Sequence, residues 1–114
     1  MRQGEIWLIN LDPSIGSEIK KTRPAVVVNN DSTGKLPLKI IVPLTEWKDH
    51  FSIAPWMVKV EADSETKLSK NSSADCFQIR CVSDKRFVKK LGEVPAHVRS
   101  DIQSALSEIL SIKH

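Results

Sequence analysis

Arg23 is the residue of this chain best suited to chemistry by type and by place. It closes the cationic run Lys20-Lys21-Thr22-Arg23 and opens a strand, Ala25-Val26-Val27-Val28, that reads as buried on both faces. A guanidinium presents two parallel, permanently charged donors, a geometry that suits anionic oxygens. Set at the mouth of a core strand, that fork has a rigid mount. A further donor is the hydroxyl of Thr45, which ends the apolar stretch Leu38-Lys39-Ile40-Ile41-Val42-Pro43-Leu44-Thr45.

The elements that must position these two groups read from periodicity and punctuation. Glu5 to Leu11 is a short apolar strand, and Asp12 to Thr22, with its Pro, Gly and Ser, is a long exposed loop. Pro24 biases Arg23 toward extended backbone, so a second strand runs from Arg23 to Asn29. In the third strand, Leu38 to Thr45, one face carries Leu38, Ile40, Val42 and Leu44. The other carries Lys39, Ile41, Pro43 and Thr45. Pro43 lacks a ladder donor and marks a bulge or an edge. A loop over 46–55 leads to a fourth strand, with Trp56, Val58 and Val60 inward, and Asp75 to Val82 forms a fifth. Residues 83–94 are ambiguous between a turn of helix and a short strand. After Pro95 the stripe Val98, Ile102, Ala105, Leu106 and Ile109 is one face of an amphipathic helix. The expected fold is one domain over 1–114, mainly β with a C-terminal helix, its antiparallel sheet small and strongly curled.

The loop after strand two is short enough for a hairpin, and facing residues of an antiparallel pair keep a constant index sum. Setting Arg23 opposite Thr45 puts the turn centre at Gly34, the only glycine in that loop, and Asn29 opposite Lys39. The arginine and the hydroxyl are then cross-strand neighbours with Cβ atoms about 5 Å apart.

Composition excludes more than it selects. Of 114 residues, 40% are apolar and 27% charged, as in an ordinary globular domain. The formal charge of +3 permits a polyanionic partner and equally describes a solvated surface. No signal-like or membrane-spanning stretch is visible, which makes a soluble, cytoplasmic protein the expectation. Cys76 and Cys81, on opposite faces of one strand, stand about 16 Å apart. A disulfide needs Cα atoms within about 7 Å, so both are expected as small buried apolar residues. Neither a metal-ligand spacing nor a phosphate-binding glycine loop occurs, so no metal and no cofactor are expected.

The blocks "GEIWLINLDPSIGSEIKKTRPAVVVNND", "IIVPLT" and "FQIRCVSDKRFVKKLGEV" resemble the MazF/PemK family of toxin endoribonucleases across nearly the whole chain. The resemblance implies an SH3-like barrel of the CcdB/Kid/MazF type and a homodimer. It also implies metal-independent, sequence-specific cleavage of single-stranded RNA (mRNA), leaving a 2′,3′-cyclic phosphate and a 5′-hydroxyl. A MazE-like antitoxin would be the silencing partner. Carried over, the family's catalytic arginine and threonine fall on Arg23 and Thr45, the pair that register alone sets side by side. Glu18 occupies the acid of the "GSE" loop and is a candidate for proton transfer or for orienting Arg23. Some relatives carry a carboxylate immediately before the strand-five glutamine. Here that place is Phe77, and Asp75, two residues earlier, is the substitute candidate beside a solvated or turn reading. Lys20 and Lys21 replace small residues after "GSE" and make the loop more basic.

Gln78 and Arg80 are expected to line the RNA groove, against structural roles in the sheet. Trp47, two residues past Thr45, either stacks on a base or plugs the long loop. His50 and His97 are 47 residues apart, with no geometric reason to meet as an acid/base pair. Two rival functions stay open. One is a non-enzymatic, CcdB-like gyrase poison, disfavoured because the chain ends Leu110-Ser111-Ile112-Lys113-His114 and not in Trp-Gly-Ile. The other is an RNA-binding domain without catalysis.

Overall fold

The alternation of apolar and polar residues builds seven strands, and the stripe after Pro95 builds one helix, among the residues that the computed structural model describes, 1–33 and 35–113. The strands are β1 (Glu5–Asn10), β2 (Thr22–Val27), β3 (Leu38–Glu46), β4 (Met57–Val60), β5 (Ser72–Asp75), β6 (Arg80–Ser83) and β7 (Phe87–Glu93), followed by α1 (Ala96–Ile109). They form one antiparallel sheet in the order β4-β5-β3-β2-β1-β7, with β6 also on β3. The sheet is strongly curled without closing, as expected for this class.

Curling buries both faces of the central strands, and each face has its own core. Ile6, Val26, Val42, Leu44, Val58, Val60 and Ala74 pack beneath Val98, Ile102 and Ala105 of α1. Ile9, Leu11, Ala25, Val27, Ile41 and Val82 pack on the opposite side, with Ile19 and Phe87 closing over them. Burying one such aliphatic side chain stabilises the fold by about 1.5–3 kcal/mol. The double burial of Ala25, Val26 and Val27 is therefore a consequence of two cores, one on each side of β2.

The β2–β3 register is the expected one, with Ala25, Val26 and Val27 opposite Pro43, Val42 and Ile41. Gly34, its proposed turn centre, lies outside the described residues. β3 is long and changes partner. Leu38 to Ile41 pair with β6, whereas Leu44 to Glu46 pair with β5. Pro43, which has no N–H to give, sits at that changeover.

Several expectations are corrected. The fifth strand is two, β5 and β6, separated by a 3₁₀ turn over Cys76–Gln78. Trp56 precedes β4 and is 37% exposed instead of inward, while Val58 and Val60 are buried. Leu38 and Ile40 are 46% and 40% exposed, because α1 does not reach that end of β3. Cys81, opposite Ile40, is exposed as well. Cys76 is buried, and its thiol is pushed up to about 12, by burial first and the Asp75 charge second. The ambiguous segment is a 3₁₀ turn, Asp84–Arg86, followed by the full strand β7. Helix α1 ends in a Schellman motif: Ile112 N donates to Ser107 O at 2.8 Å and Ser111 N to Glu108 O at 3.1 Å, with Ser111 at φ 56.

A buried carboxylate ties the N-terminus to β7. Glu5 accepts hydrogen bonds from Arg2 N at 2.9 Å and Trp7 Nε1 at 2.9 Å, and Lys90 Nζ lies 3.1 Å away. Burial alone would raise its pKa, but these donors win and hold it at about 2, below the ordinary 4.5. A depressed carboxylate contributes stability above its unfolded pKa and loses it as pH falls through the folded value. Glu5→Gln is therefore expected to cost roughly 1–3 kcal/mol at neutral pH. It also flattens the loss of stability between pH 4.5 and about 2, read by denaturant titration across that range. An unaltered acid limb would contradict this.

Candidate active site

The site forms where β2 and β3 part company. Their ladder stops at Ala25 opposite Pro43; beyond it β3 pairs Thr45 with Ser73, while β2 keeps Arg23 opposite Ile9 of β1. Arg23 and Thr45 are therefore not a ladder pair, and the cross-strand contact expected from register stops two residues short. The fork instead opens a cleft of about 460 Å³, with Arg23 and Thr45 in its lining beside Lys67 and Lys70. By alternation, both lie on the strand face that carries Ala25 and Pro43. Arg23 is exposed, and its Nε donates to Lys20 O at 3.3 Å.

The loop between β1 and β2 is held down at three places. At its base, Arg80 Nη1 donates to Leu11 O at 3.2 Å, and Arg86 Nη1 donates to Asn10 O and Asp12 O. Lys21 adopts φ 71, and its N donates to Asp12 Oδ1 at 3.0 Å, which closes the loop on itself. At the tip, Gln78 acts as a strap. Its Oε1 accepts from Ile19 N at 2.6 Å, and its Nε2 reaches Ser17 O at 3.3 Å and Asp75 Oδ2 at 3.2 Å.

Asp75 ends β5 and is buried, which departs from the solvated reading, while its side chain caps the 3₁₀ turn by accepting from Phe77 N, as the turn reading has it. Burial raises its pKa, opposed by hydrogen bonds from Phe77 N and the Gln78 side chain. Its carboxylate orients the Gln78 amide: with Nε2 turned toward the acid, Oε1 faces the loop N–H. Glu18 is exposed on the loop, and its Oε1 accepts from Ile15 N at 2.6 Å. It braces its own loop, and the Arg23 Nε bond goes to Lys20 O instead. Gln78→Met keeps the volume and removes the strap. Losing hydrogen bonds of about 1 kcal/mol each, the loop should open more often. Trypsin is then expected to cut after Lys20 and Lys21 at least about fivefold faster than in the wild type. Equal rates would show that the strap does not hold the loop.

The other candidates divide. Lys20 and Lys21 are exposed on the loop beside Arg23. Gln78 and Arg80 border a second cavity, of about 420 Å³, although the contacts above give both of them structural work too. Trp47 is half-buried, meeting Phe51 edge-on at 6.0 Å with Lys59 Nζ 5.2 Å from its ring centroid. It plugs the 46–55 loop. His50 packs on Phe51 at 4.7 Å, and His97 lies in a groove with Glu61 and Asp63, lined by neither Arg23 nor Thr45. Sequence reading overlooked Phe77, treated there as a missing carboxylate; it is 68% exposed and lines the second cavity. The assumption of one unbroken strand, which set Phe77 on the side of Ile79 and Cys81, masked its exposure.

The curled sheet with one packed helix is shared with solved structures. MazF from Deinococcus radiodurans superimposes with a TM-score of 0.80 at 23% identity, covering 98% of this chain and 97% of that one. A mycobacterial endoribonuclease in complex with its cognate antitoxin gives 0.77 at 18% identity, covering 100% and 98%. In sequence, the endoribonuclease MazF9 of Mycobacterium tuberculosis is 34% identical over 112 residues, 93% of this chain and 92% of its own. The endoribonuclease PemK of Escherichia coli is 30% identical over 113 residues, 97% and 83% respectively. Residues 2–110 match the family described as PemK-like, MazF-like toxin of type II toxin-antitoxin system, and the chain belongs to that family.

Proposed function

We propose that the protein is a metal-independent, sequence-specific endoribonuclease that cuts single-stranded mRNA by attack of a 2′-hydroxyl on the adjacent phosphorus. The products are a 2′,3′-cyclic phosphate and a 5′-hydroxyl. One observation carries the reading: Arg23 and Thr45, from strands that diverge, line a single cleft. As the 2′-oxygen attacks, negative charge builds on the phosphoryl oxygens. The Arg23 fork supplies charged donors to them, and the Thr45 hydroxyl supplies one more from a strand held by two ladders. Two carboxylates are the candidates for taking the 2′-hydroxyl proton. Glu18 is exposed and lines the cavity that includes Pro43, whereas Asp75 is buried beneath Gln78. Glu18 can meet a ligand without breaking the strap, which favours it.

The expected partners are RNA and a MazE-like antitoxin, which would lay a disordered tail across the dimer surface. A second copy of the chain would cover exposed Leu38 and Ile40, an apolar patch that extends to Cys81 across the β3–β6 ladder. A monomeric mass by sedimentation at micromolar concentration would contradict the homodimer. The working compartment of such a toxin is the cytoplasm, where mRNA is found, and no helix of the described residues is long and apolar enough to cross a membrane.

The nuclease reading is tested with a long single-stranded RNA, a chelator in the buffer and mapping of the cut ends. Specific cuts with 5′-hydroxyl termini, unaffected by the chelator, are expected. Cuts that need added magnesium or carry 5′-phosphates would overturn it.

A further inference from the structure

One peptide unit touches both the acid that closes the β1–β2 loop and the arginine of the cleft. It is the unit between Lys20 and Lys21. Its N–H donates to Asp12 Oδ1 at 3.0 Å, and its carbonyl oxygen accepts from Arg23 Nε at 3.3 Å. A trans peptide is planar, with its N–H and C=O pointing to opposite sides of the chain. Fixing either group therefore fixes the other. While Asp12 holds the N–H, the carbonyl stays aimed at the guanidinium.

The sheet does not orient that peptide. The β1–β2 ladder ends at Asn10 opposite Thr22, and Lys20 and Lys21 lie beyond it on an exposed loop. Lys21 moreover sits at φ 71, in the left-handed region that lysine seldom adopts. Two bonds bracket it there. Its N–H goes to Asp12, and its carbonyl oxygen accepts from Leu11 N at 2.9 Å. Asp12 is itself anchored. Its N donates to Asn10 Oδ1 at 3.0 Å, and its carbonyl oxygen accepts from Arg86 Nη1, at the 3₁₀ turn before β7.

The tether decides which edge of the guanidinium faces a ligand. An arginine can offer an anion its Nε side or its end pair, Nη1 and Nη2. With Nε committed to Lys20 O, the end pair is the fork presented. An exposed arginine side chain otherwise spreads over many rotamers. Ordering it before the substrate arrives removes that reorganisation from the reaction.

We infer that Asp12 is a positioning residue: acting through the Lys20–Lys21 peptide, it holds the Arg23 guanidinium with its end pair turned to the scissile phosphate. The role rests on the RNA-cleaving reading, and two readouts keep them apart. The first needs no RNA. The Nε–H resonance of Arg23, assigned by its loss in Arg23→Lys, reports side-chain motion through its proton–nitrogen NOE. Wild type and Asp12→Asn, which keeps a carbonyl acceptor, are expected to show an ordered resonance. Asp12→Ala should show a mobile one. A mobile resonance in the wild type overturns the role whatever the variants do.

The second readout is steady-state cutting of a defined oligonucleotide, at a temperature where a thermal scan finds each variant folded. Asp12→Ala should lose about tenfold or more in kcat, the lower range for a hydrogen bond to a charged acceptor, with KM within about threefold. Asp12→Asn should keep kcat within about threefold of wild type. Arg23→Lys has no Nε–H to hold, so in that background Asp12→Ala should cost less than about threefold. An acid that merely shapes the loop costs the same in both backgrounds, and equal losses overturn the role. If the wild type cuts no RNA while Asp12→Ala still frees the resonance, the nuclease reading falls and the tether stands. If the wild type cuts and the resonance is mobile in every protein, the tether falls and the nuclease stands.

Discussion

Arg23→Ala lowers kcat/KM for RNA cleavage by about 10²–10³-fold or more, while the melting temperature stays within a degree or two of wild type. The kinetic effect is large because removing even one preorganised donor from an oxyanion site costs about 10²–10³ in rate, and Arg23 presents several. Stability is spared because the side chain is exposed and its hydrogen bond to Lys20 O lies on the surface. Arg23→Lys keeps the charge and loses the planar fork, so it recovers only part of the rate. Thr45→Val keeps the shape in the strand and removes the hydroxyl, with an expected loss of about 10²-fold. If the two groups stabilise one transition state, the double variant falls by less than the product of the single losses. Steady-state kinetics on a defined oligonucleotide measures all four. An Arg23→Ala enzyme within threefold of wild type would remove the basis for the cleft as the reaction centre.

Gly92→Ala unfolds the protein at a markedly lower temperature. Gly92 is a buried position of β7, and space makes it obligatory: a Cβ there would lie 2.4 Å from Thr66 O and 2.5 Å from Glu65 O. Both obstacles are backbone, and both are held. Glu93 N donates to Glu65 O at 3.1 Å, Thr66 N to Asp63 Oδ1 at 2.8 Å, and the Thr66 hydroxyl to Glu61 O at 2.8 Å. Overpacking of this kind costs about 1–3 kcal/mol, and each kcal/mol shifts the midpoint of a domain near this size by about 4–8 °C. The displaced segment continues into Lys67, Leu68 and Lys70, which line the Arg23–Thr45 cleft. Cleavage should therefore weaken even at temperatures where the variant is folded. A thermal scan with the wild-type midpoint would show that the loop lies elsewhere.

These two residues differ in how visible they are from sequence. Arg23 announces itself by type and by its place before Pro24. Gly92 does not, since it sits in an ambiguous run and its neighbours in space are more than 20 residues earlier. Trp56 went astray for a related reason, assigned a side by alternation through a strand that begins one residue later, and the Cys76–Cys81 segment was read as one strand where the structure has a turn and then β6. The 3₁₀ turn at Cys76–Gln78 shifts every side chain after it, and an apolar-rich stretch such as "DCFQIRCV" carries no local mark of the break.

The order of the chain by itself determined the β2–β3 register, the two-sided burial of Ala25, Val26 and Val27, and the α1 stripe. Each depends on residues close in sequence or on a fixed period of two or 3.6. Only the tertiary structure decided that β3 changes partner at Pro43, that the fork so opened is the cleft, and that Asp75 is buried. It also decided that Gln78 straps a loop 59 residues earlier in the chain. Such contacts join segments whose local patterns are independent of one another. They become fixed when the sheet curls and brings two distant backbones within hydrogen-bonding distance.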